Sequence, residues 1–134
     1  FKSVPVCIEA NNKKTLISLK KVAQSISKHV LEINSAQRLN IHTAAVFACN
    51  FSNHMYSIAN ELLQKNGLTL DLIKPLIAET AEKIKQHPPS EMQTGPAVRN
   101  DKKTMLRHLN TLSDKDYKKM YKLISMSIQK TAAK

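Results

Sequence analysis

The stretch from Asn34 to Asn66 contains neither proline nor glycine, and this feature most limits how the chain can fold. Asn34 is followed three positions later by Gln37, a helix-capping pattern, and Gly67 stands where a helix commonly ends. The stretch predicts one helix of about 31 residues, about 46 Å long. With two glycines in 134 residues, the chain favours long helices over a turn-rich β fold.

The centre of this predicted helix, "TAAVFACNF" at 43–51, is apolar on nearly every side. A helix that is apolar all round is normally buried. The small side chains of Ala44, Ala45 and Ala48 would let other helices approach closely. We therefore expect a central helix surrounded by protein.

The first 34 residues have a different pattern. "VPVCIEA" (4–10) and "KHVLEI" (28–33) resemble short strands, and the segment 11–26 between them has apolar residues at helical spacing. Such a strand–helix–strand unit normally lies inside a larger parallel sheet. Because the chain also begins at Phe1 without a methionine, we expect it to be a fragment of a longer protein.

After Gly67 the pattern is helical again. The segment 70–86 has apolar residues on one face, with Thr69 as its expected cap. Pro75 lies inside the segment and is expected to kink it. The sequence "HPPS" at 87–90 is expected to end this helix.

Two more helices are predicted towards the C-terminus. Asn100 or Asp101 is expected to cap the first of them, and Ser113 with Asp116 forms a capping box for the second. The last helix carries an apolar stripe within 117–128. The fold class is thus mainly α: four helices preceded by a βαβ remnant.

The formal charge of +11 invites a nucleic-acid hypothesis, but the residue types argue against it. Eighteen of the 21 basic residues are lysine, whereas base and phosphate recognition favours arginine. The chain has three Phe, three Tyr and no Trp, so stacking platforms for single strands are scarce. Solvated lysine faces are the preferred interpretation, and we expect no nucleic-acid partner; a basic helical binder remains the weaker alternative.

The cysteines, the hydropathy and the histidines indicate the cellular compartment and whether a metal is expected. Cys7 and Cys49 are far apart and belong to no metal-binding motif, so we expect two buried free thiols in a cytoplasmic protein. No apolar run is long enough to span a membrane. The five histidines show no convincing metal spacing, and no metal is expected.

Two blocks carry a family resemblance: "HTAAVFACNF" from His42 and "TGPAVRND" from Thr94. With "GLTLDLIKPLI" and "RHLNTL", they make 36–130 similar to the C-terminal helical domain of Rossmann-like bacterial proteins, long known as a domain of unknown function. That domain is related to the dimerisation domains of pyrroline-5-carboxylate reductase, deazaflavin-dependent NADP oxidoreductase and 6-phosphogluconate-dehydrogenase-like enzymes.

The resemblance implies two parts: residues 1–34 as the end of a truncated Rossmann-like nucleotide-binding domain, and 35–134 as an all-α dimerisation and substrate-side domain. It implies a homodimer and an oxidoreductase that uses NADP or NAD. The glycine-rich cofactor loop is absent from this chain, so we expect this fragment alone to bind no cofactor and to be inactive. The substrate is unknown.

The long helix carries four candidate site residues. His42 and Asn50 are eight positions apart and can lie on one side of the helix, which the resemblance places towards the nicotinamide. Histidine titrates near neutral pH, so His42 is the candidate acid or base, with Asn50 and Asn53 as substrate contacts. Arg38 could bind a substrate carboxylate or phosphate. The structural alternatives are helix–helix hydrogen bonds and a salt bridge at the domain junction.

The block "TGPAVRND" supplies the other candidates. Thr94 and Arg99 could line the substrate pocket, or they could belong only to a rigid loop in which Gly95 permits a positive φ and Asp101 caps the next helix. The loop lacks the several glycines of a phosphate-binding loop.

Two functions follow. The first is the helical domain of an NAD(P)-dependent oxidoreductase, with His42 as acid or base and Asn50 and Arg99 orienting the substrate. The second is a non-catalytic, dimeric or nucleotide-sensing protein on the same scaffold, since a fold does not determine a function.

Overall fold

The chain is mainly α-helical in a computed structural model that describes residues 2–132. Its contacts divide it into two compact units, which meet in sequence between Thr69 and Leu70 and are described separately. The elements in chain order are β1 Val6–Ile8, α1 Lys13–Ile26, β2 Val30–Glu32, α2 Ser35–Ala45, a π-helix Val46–Phe51, α3 Ser52–Gln64, a 3₁₀ turn Leu70–Leu72, α4 Lys74–Lys83, α5 Lys102–Thr111 and α6 Lys115–Ala132.

The predicted strand–helix–strand unit is confirmed. Strands β1 and β2 pair in parallel, with Val6 opposite Val30 and Ile8 opposite Glu32, and α1 is the crossover between them. Buried Ser27 closes the unit, because its hydroxyl donates to the Val4 carbonyl at 2.5 Å and accepts from the backbone N–H of His29 at 3.0 Å. Both strands are shorter than their apolar runs suggest.

The long helix begins as predicted. The Asn34 side chain accepts from the backbone N–H of Gln37 at 2.8 Å, and the Gln37 side chain accepts from the backbone N–H of Asn34 at 2.9 Å. The helix continues to Gln64, and Gly67 follows in a left-handed conformation with φ of 69°. It is not α-helical throughout, because the π-helical segment Val46–Phe51 interrupts it.

The expectation that the centre of this helix is surrounded by protein is wrong for the single chain. Phe47 is 66% exposed and Phe51 48%, and Cys49 is exposed as well. The two rings meet edge to face with centroids 5.0 Å apart. The expectation of two buried thiols is also wrong, since Cys7 is only partly buried.

The second unit corrects the prediction for Pro75. Helix α4 begins at Lys74, so Pro75 lies in its first turn, where a missing N–H costs no helical hydrogen bond, and the helix is not kinked there. The preceding residues Leu70–Leu72 form a separate 3₁₀ turn, so Thr69 precedes that turn and does not cap α4. Helix α4 ends at Lys83, before the predicted end at 86.

The predicted cap is present at α5 but not at α6. Asp101 caps α5, as one of the two predicted alternatives, by accepting from the Thr104 backbone N–H at 2.9 Å. Helix α6 is not capped by the predicted box of Ser113 and Asp116. Asp114 takes that place, accepting from the backbone N–H groups of Asp116 at 2.7 Å and Tyr117 at 3.0 Å.

None of the helices within 2–132 is both long enough and apolar enough to cross a membrane.

Candidate functional site

Arg38 lies at the start of the long helix, beside the ends of the two parallel strands. Its Nη2 donates to Oε2 of Glu9 at 3.2 Å, and the hydroxyl of Ser35 donates to Oε1 of the same carboxylate at 2.9 Å. Glu9 directly follows β1, and Ser35 follows β2 by three positions. The structural alternative for Arg38, a salt bridge near the junction of the two predicted domains, is therefore present in the first unit.

The Glu9 carboxylate is stabilised in its charged form by these neighbours. The Ser35 hydroxyl, and after it the Arg38 guanidinium, lower the pKa of Glu9 below its ordinary value, against an opposing effect of burial. Sequence reasoning missed Glu9. Its position immediately after a parallel strand was the available signal, because ligands of open parallel sheets bind outside the carboxyl ends of the strands.

His42 lies on α2, one turn after Arg38, with its ring exposed to solvent. Its side chain makes no hydrogen bond or ion pair to any of the residues described. The backbone carbonyl of His42 accepts from the N–H of Val46, so the α-helical geometry persists to that point. The exposed ring nitrogens are therefore without a hydrogen-bond partner among the described residues.

Asn50 belongs to the π-helical segment and Asn53 to the first turn of α3, and both side chains are exposed. The structural alternative of helix–helix hydrogen bonds is not found for Asn50 or His42 in the part of the chain that the structure describes. The backbone carbonyl of Asn53 accepts from the Ser57 hydroxyl at 3.2 Å.

The π-helix changes the direction of Asn50 relative to His42. In a straight α-helix, eight residues make about 2.2 turns, so the two side chains would point about 80° apart. A π turn takes more residues, because its hydrogen bonds reach the fifth residue instead of the fourth. The chain therefore rotates less between Val46 and Asn50, which brings the two directions closer together. Single π turns within α-helices often occur at functional sites.

The block from Thr94 to Asp101 is a folded loop in the second unit. Gly95 has φ of 107° and Asn100 φ of 51°, both in the left-handed half of backbone space. The backbone N–H of Asp101 donates to the Pro96 carbonyl at 2.9 Å, and Ala97 between them is buried. The Asn100 side chain accepts from Nε2 of Gln129 on α6 at 3.1 Å. The loop architecture expected for this block is present.

Asp101 is held in its charged form. The Thr104 backbone N–H, then the Thr104 hydroxyl, lower the pKa of the Asp101 carboxyl, with weaker contributions from the charges of Arg99 and Arg107. The Arg99 and Thr94 side chains are exposed, and neither makes a side-chain hydrogen bond or ion pair within the described residues.

Two cavities of about 400 Å³ each lie between this loop and α6. Their lining includes Val98 and Ala132 in both cases, and neither Thr94 nor Arg99 contributes to them. The two candidate side chains of the loop therefore point elsewhere than into these cavities.

No group of three metal-ligating side chains that could hold an ion lies within 2–132.

Gly95 offers a test of the loop that needs no ligand. A Cβ added at Gly95 or at Gly67 would meet no atom within 4 Å, so an alanine at either position changes only the backbone energy. Gly67, with φ of 69°, is close to the left-handed region that other residues can enter, whereas Gly95, with φ of 107°, is outside it. We expect Gly95→Ala to lower the free energy of unfolding in urea by about 1–3 kcal/mol. Gly67→Ala, the matched control, should cost less than Gly95→Ala, because the left-handed region that holds its φ is open to other residues. Equal costs would contradict a strained loop.

Comparison with known proteins identifies relatives. A family described as a domain of unknown function, DUF2520, matches residues 4–128. A Bacteroides fragilis protein of known structure, assigned provisionally as an NADP oxidoreductase, matches 97% of this chain with 44% identity and a TM-score of 0.93. A Thermotoga maritima protein of known structure matches 95% with 25% identity and a TM-score of 0.74.

The matched regions make up 51% and 52% of these two proteins, so the chain spans about half the length of the solved relatives. A comparison with curated proteins finds no match. Because the family match extends over nearly the whole chain, from the first strand into the last helix, the chain belongs to the family of the domain of unknown function DUF2520.

Proposed function

We propose that this chain is the helical, dimer-forming and substrate-side part of an NADP-dependent oxidoreductase. The observation that carries the proposal is the likeness to the Bacteroides fragilis protein, at 44% identity over 97% of this chain. In this proposal residues 1–34 end a Rossmann-like nucleotide-binding domain and 35–134 form the helical domain. The parallel βαβ unit supports that division, since parallel strands with a helical crossover are the building unit of such domains.

The cofactor would be held by residues outside this chain. A dinucleotide loop needs several glycines between a strand and a helix, where backbone amides approach the pyrophosphate. Gly67 follows helix α3 and Gly95 lies in a loop before α5, so neither follows a strand. The residues present do not fit the cofactor, and we assign this chain no step of the hydride chemistry.

The contribution of this chain would be to orient the substrate and move a proton. His42 is the proposed acid or base, because its ring is exposed and without a partner among the described side chains. Asn50, brought towards the direction of His42 by the π-helix, would donate to or accept from the substrate, with Asn53 one turn further. Arg38 would bind an anionic group of the substrate.

Thr94 and Arg99 are the corresponding proposals in the second unit. Both lie on a loop that contains two positive-φ residues and a buried alanine. The guanidinium of Arg99 donates to no other side chain in the described residues, although its charge acts on Asp101, so its donors are available to a substrate carboxylate or phosphate.

A homodimer is part of the proposal. The exposed pair Phe47 and Phe51 occupies the centre of the long helix, and Leu39 at 65% exposed lies two turns earlier. Large exposed apolar side chains that lie next to each other, as Phe47 and Phe51 do, mark interaction sites on soluble proteins. A second copy of the same helix would cover it with matching chemistry, since two-fold symmetric interfaces bring the same patch of both subunits together.

The test of the function is nicotinamide-cofactor binding by the longer protein that contains this chain. Isothermal calorimetry with NADP and NADPH is expected to give saturable heat for the longer protein and none for the 134-residue chain. NAD and NADH, titrated in parallel, test the choice of cofactor. Absence of heat with all four cofactors, together with a protein that purifies without bound nucleotide, would remove the oxidoreductase proposal.

The second candidate, a non-catalytic dimeric or nucleotide-sensing protein, keeps the fold and the dimer. It is favoured by the ion pair of Arg38 with Glu9, which gives that arginine a structural role. Cofactor binding without turnover, and with no effect of substituting His42, would support it over the enzyme.

A further inference from the structure

The contact between Arg38 and Glu9 has the geometry of an ion pair in which another anion can replace the Glu9 carboxylate. A guanidinium has five N–H donors and binds a carboxylate best through two parallel bonds of about 2.7–2.9 Å. Here a single donor, Nη2, reaches Glu9 Oε2 at the longer distance of 3.2 Å. The remaining donors of Arg38 have no partner among the described residues. Most N–H donors of the guanidinium are therefore without an acceptor among the described residues.

Solvent reaches both partners. The side chains of Arg38 and Glu9 are 48% and 32% exposed. Exposed ion pairs contribute little stability, so breaking this one costs a ligand little affinity. Ser35 would keep Glu9 nearby after such an exchange, because its hydroxyl binds the other carboxylate oxygen, Oε1.

The location also suits a ligand. Glu9 follows the carboxyl end of β1 and Arg38 lies in the second turn after β2, so the pair lies at the edge of the parallel sheet where open α/β sheets bind their ligands.

We propose that Arg38 is an oxyanion-binding site, for a carboxylate or phosphate group of a ligand, and that Glu9 is a built-in competitor which the ligand displaces. Glu9 is thereby a second residue that sets the affinity of Arg38 for the anion. The role of the bound anion as part of a substrate rests on the proposed function, whereas the exchange itself is a property of this chain.

The test is a titration of the 134-residue chain, followed by ¹H–¹⁵N NMR of the Arg38 Nε–H and backbone signals. The probes are acetate and inorganic phosphate, each added at constant ionic strength, to distinguish a carboxylate from a phosphate ligand. The informative variants are Glu9→Gln and Arg38→Gln. Circular dichroism establishes that each variant is folded.

A second ion pair in the same unit supplies matched controls. Lys20 Nζ lies 2.6 Å from Glu32 Oε1, with both side chains about half exposed. Glu32→Gln removes the same charge as Glu9→Gln, and Lys20→Gln the same charge as Arg38→Gln. These controls separate a local competitor from a change in the net charge of the protein.

We expect Glu9→Gln to bind the probe up to about fivefold more tightly than the unsubstituted chain, equivalent to about 1 kcal/mol, the upper range for an exposed pair. Arg38→Gln should abolish the response, and Arg38→Lys should weaken it, because lysine keeps the charge but loses the planar fork. The Glu32 and Lys20 variants should bind as the unsubstituted chain does. A response to one probe alone supports the proposal and identifies the ligand class.

Three results would overturn the proposal: Arg38 signals that neither probe moves in Glu9→Gln, equal affinities of Glu9→Gln and Glu32→Gln, or a response that survives Arg38→Gln. Failure of the longer protein to bind NADP would leave these measurements unaffected, so the two proposals fail separately.

Discussion

Replacing Phe47 with glutamate is expected to separate the proposed homodimer into monomers. Phe47 is 66% exposed in the single chain and meets Phe51 edge to face, so it has surface to bury against a second copy. Burying a phenylalanine side chain contributes about 1.5–3 kcal/mol, and two-fold symmetry applies each substitution twice. The expected loss is about 3–6 kcal/mol, or roughly a hundredfold to ten-thousandfold in the dimer dissociation constant.

Sedimentation equilibrium over a range of concentrations measures this effect. Val22→Glu is the matched control, because Val22 on α1 is 64% exposed and its replacement adds the same charge to another face of the first unit. The control should remain dimeric. A chain that is monomeric before any substitution, or equal weakening by both substitutions, would contradict a dimer through the centre of the long helix.

The parts of the fold that depend on short-range chemistry could be predicted from the sequence. The capping box of Asn34 and Gln37 and the cap by Asp101 involve residues three positions apart, so the letters alone contain both partners. Prediction failed where two such partners compete. Ser113 and Asp114 are adjacent acceptors before α6, and the structure uses Asp114.

The apolar spacing wrongly predicted that Pro75 lies inside a helix, because the same spacing runs through the 3₁₀ turn and into α4. The apolar residues of Leu70–Leu72 continue the spacing of α4, although they belong to a separate 3₁₀ turn. A proline is favourable in the first turn of a helix, so its position marked a start rather than a kink. The same spacing could not show the π-helix at 46–51, because no residue type there requires the wider turn.

Exposure was the least predictable property. The run at 43–51 is apolar on nearly every side, which indicates burial but not what covers it. Glu9 and Arg38 are 29 positions apart and meet only because β1 and β2 pair in parallel, so the contact depends on the register of Val6 with Val30. The sequence placed Arg38 among the candidates, whereas its partner required the fold.

If the proposed oxidoreductase uses His42 as its acid or base, His42→Ala is expected to lower kcat/KM of the longer protein by about a hundredfold to ten-thousandfold, the usual contribution of such a group. The reason is geometric: the exposed ring has no side-chain partner in the described part of the chain, and the π-helix brings the direction of the Asn50 side chain closer to that of His42. NADP affinity should remain unchanged, because this chain supplies no dinucleotide loop. The rate of NADPH oxidation in the presence of a substrate of the enzyme measures kcat/KM. Calorimetry with NADP measures the cofactor affinity.

His42→Gln distinguishes proton transfer from orientation. Glutamine can still hydrogen-bond to a substrate but cannot exchange a proton near neutral pH, so a true acid or base requires it to be as impaired as alanine. His29→Ala is the control, since this histidine is also exposed, lies in the same unit and uses only its backbone in the βαβ unit. If glutamine restores turnover, His42 orients the substrate and the acid or base lies elsewhere. If neither substitution changes turnover, His42 contributes no chemistry, and the non-catalytic interpretation of this domain is supported.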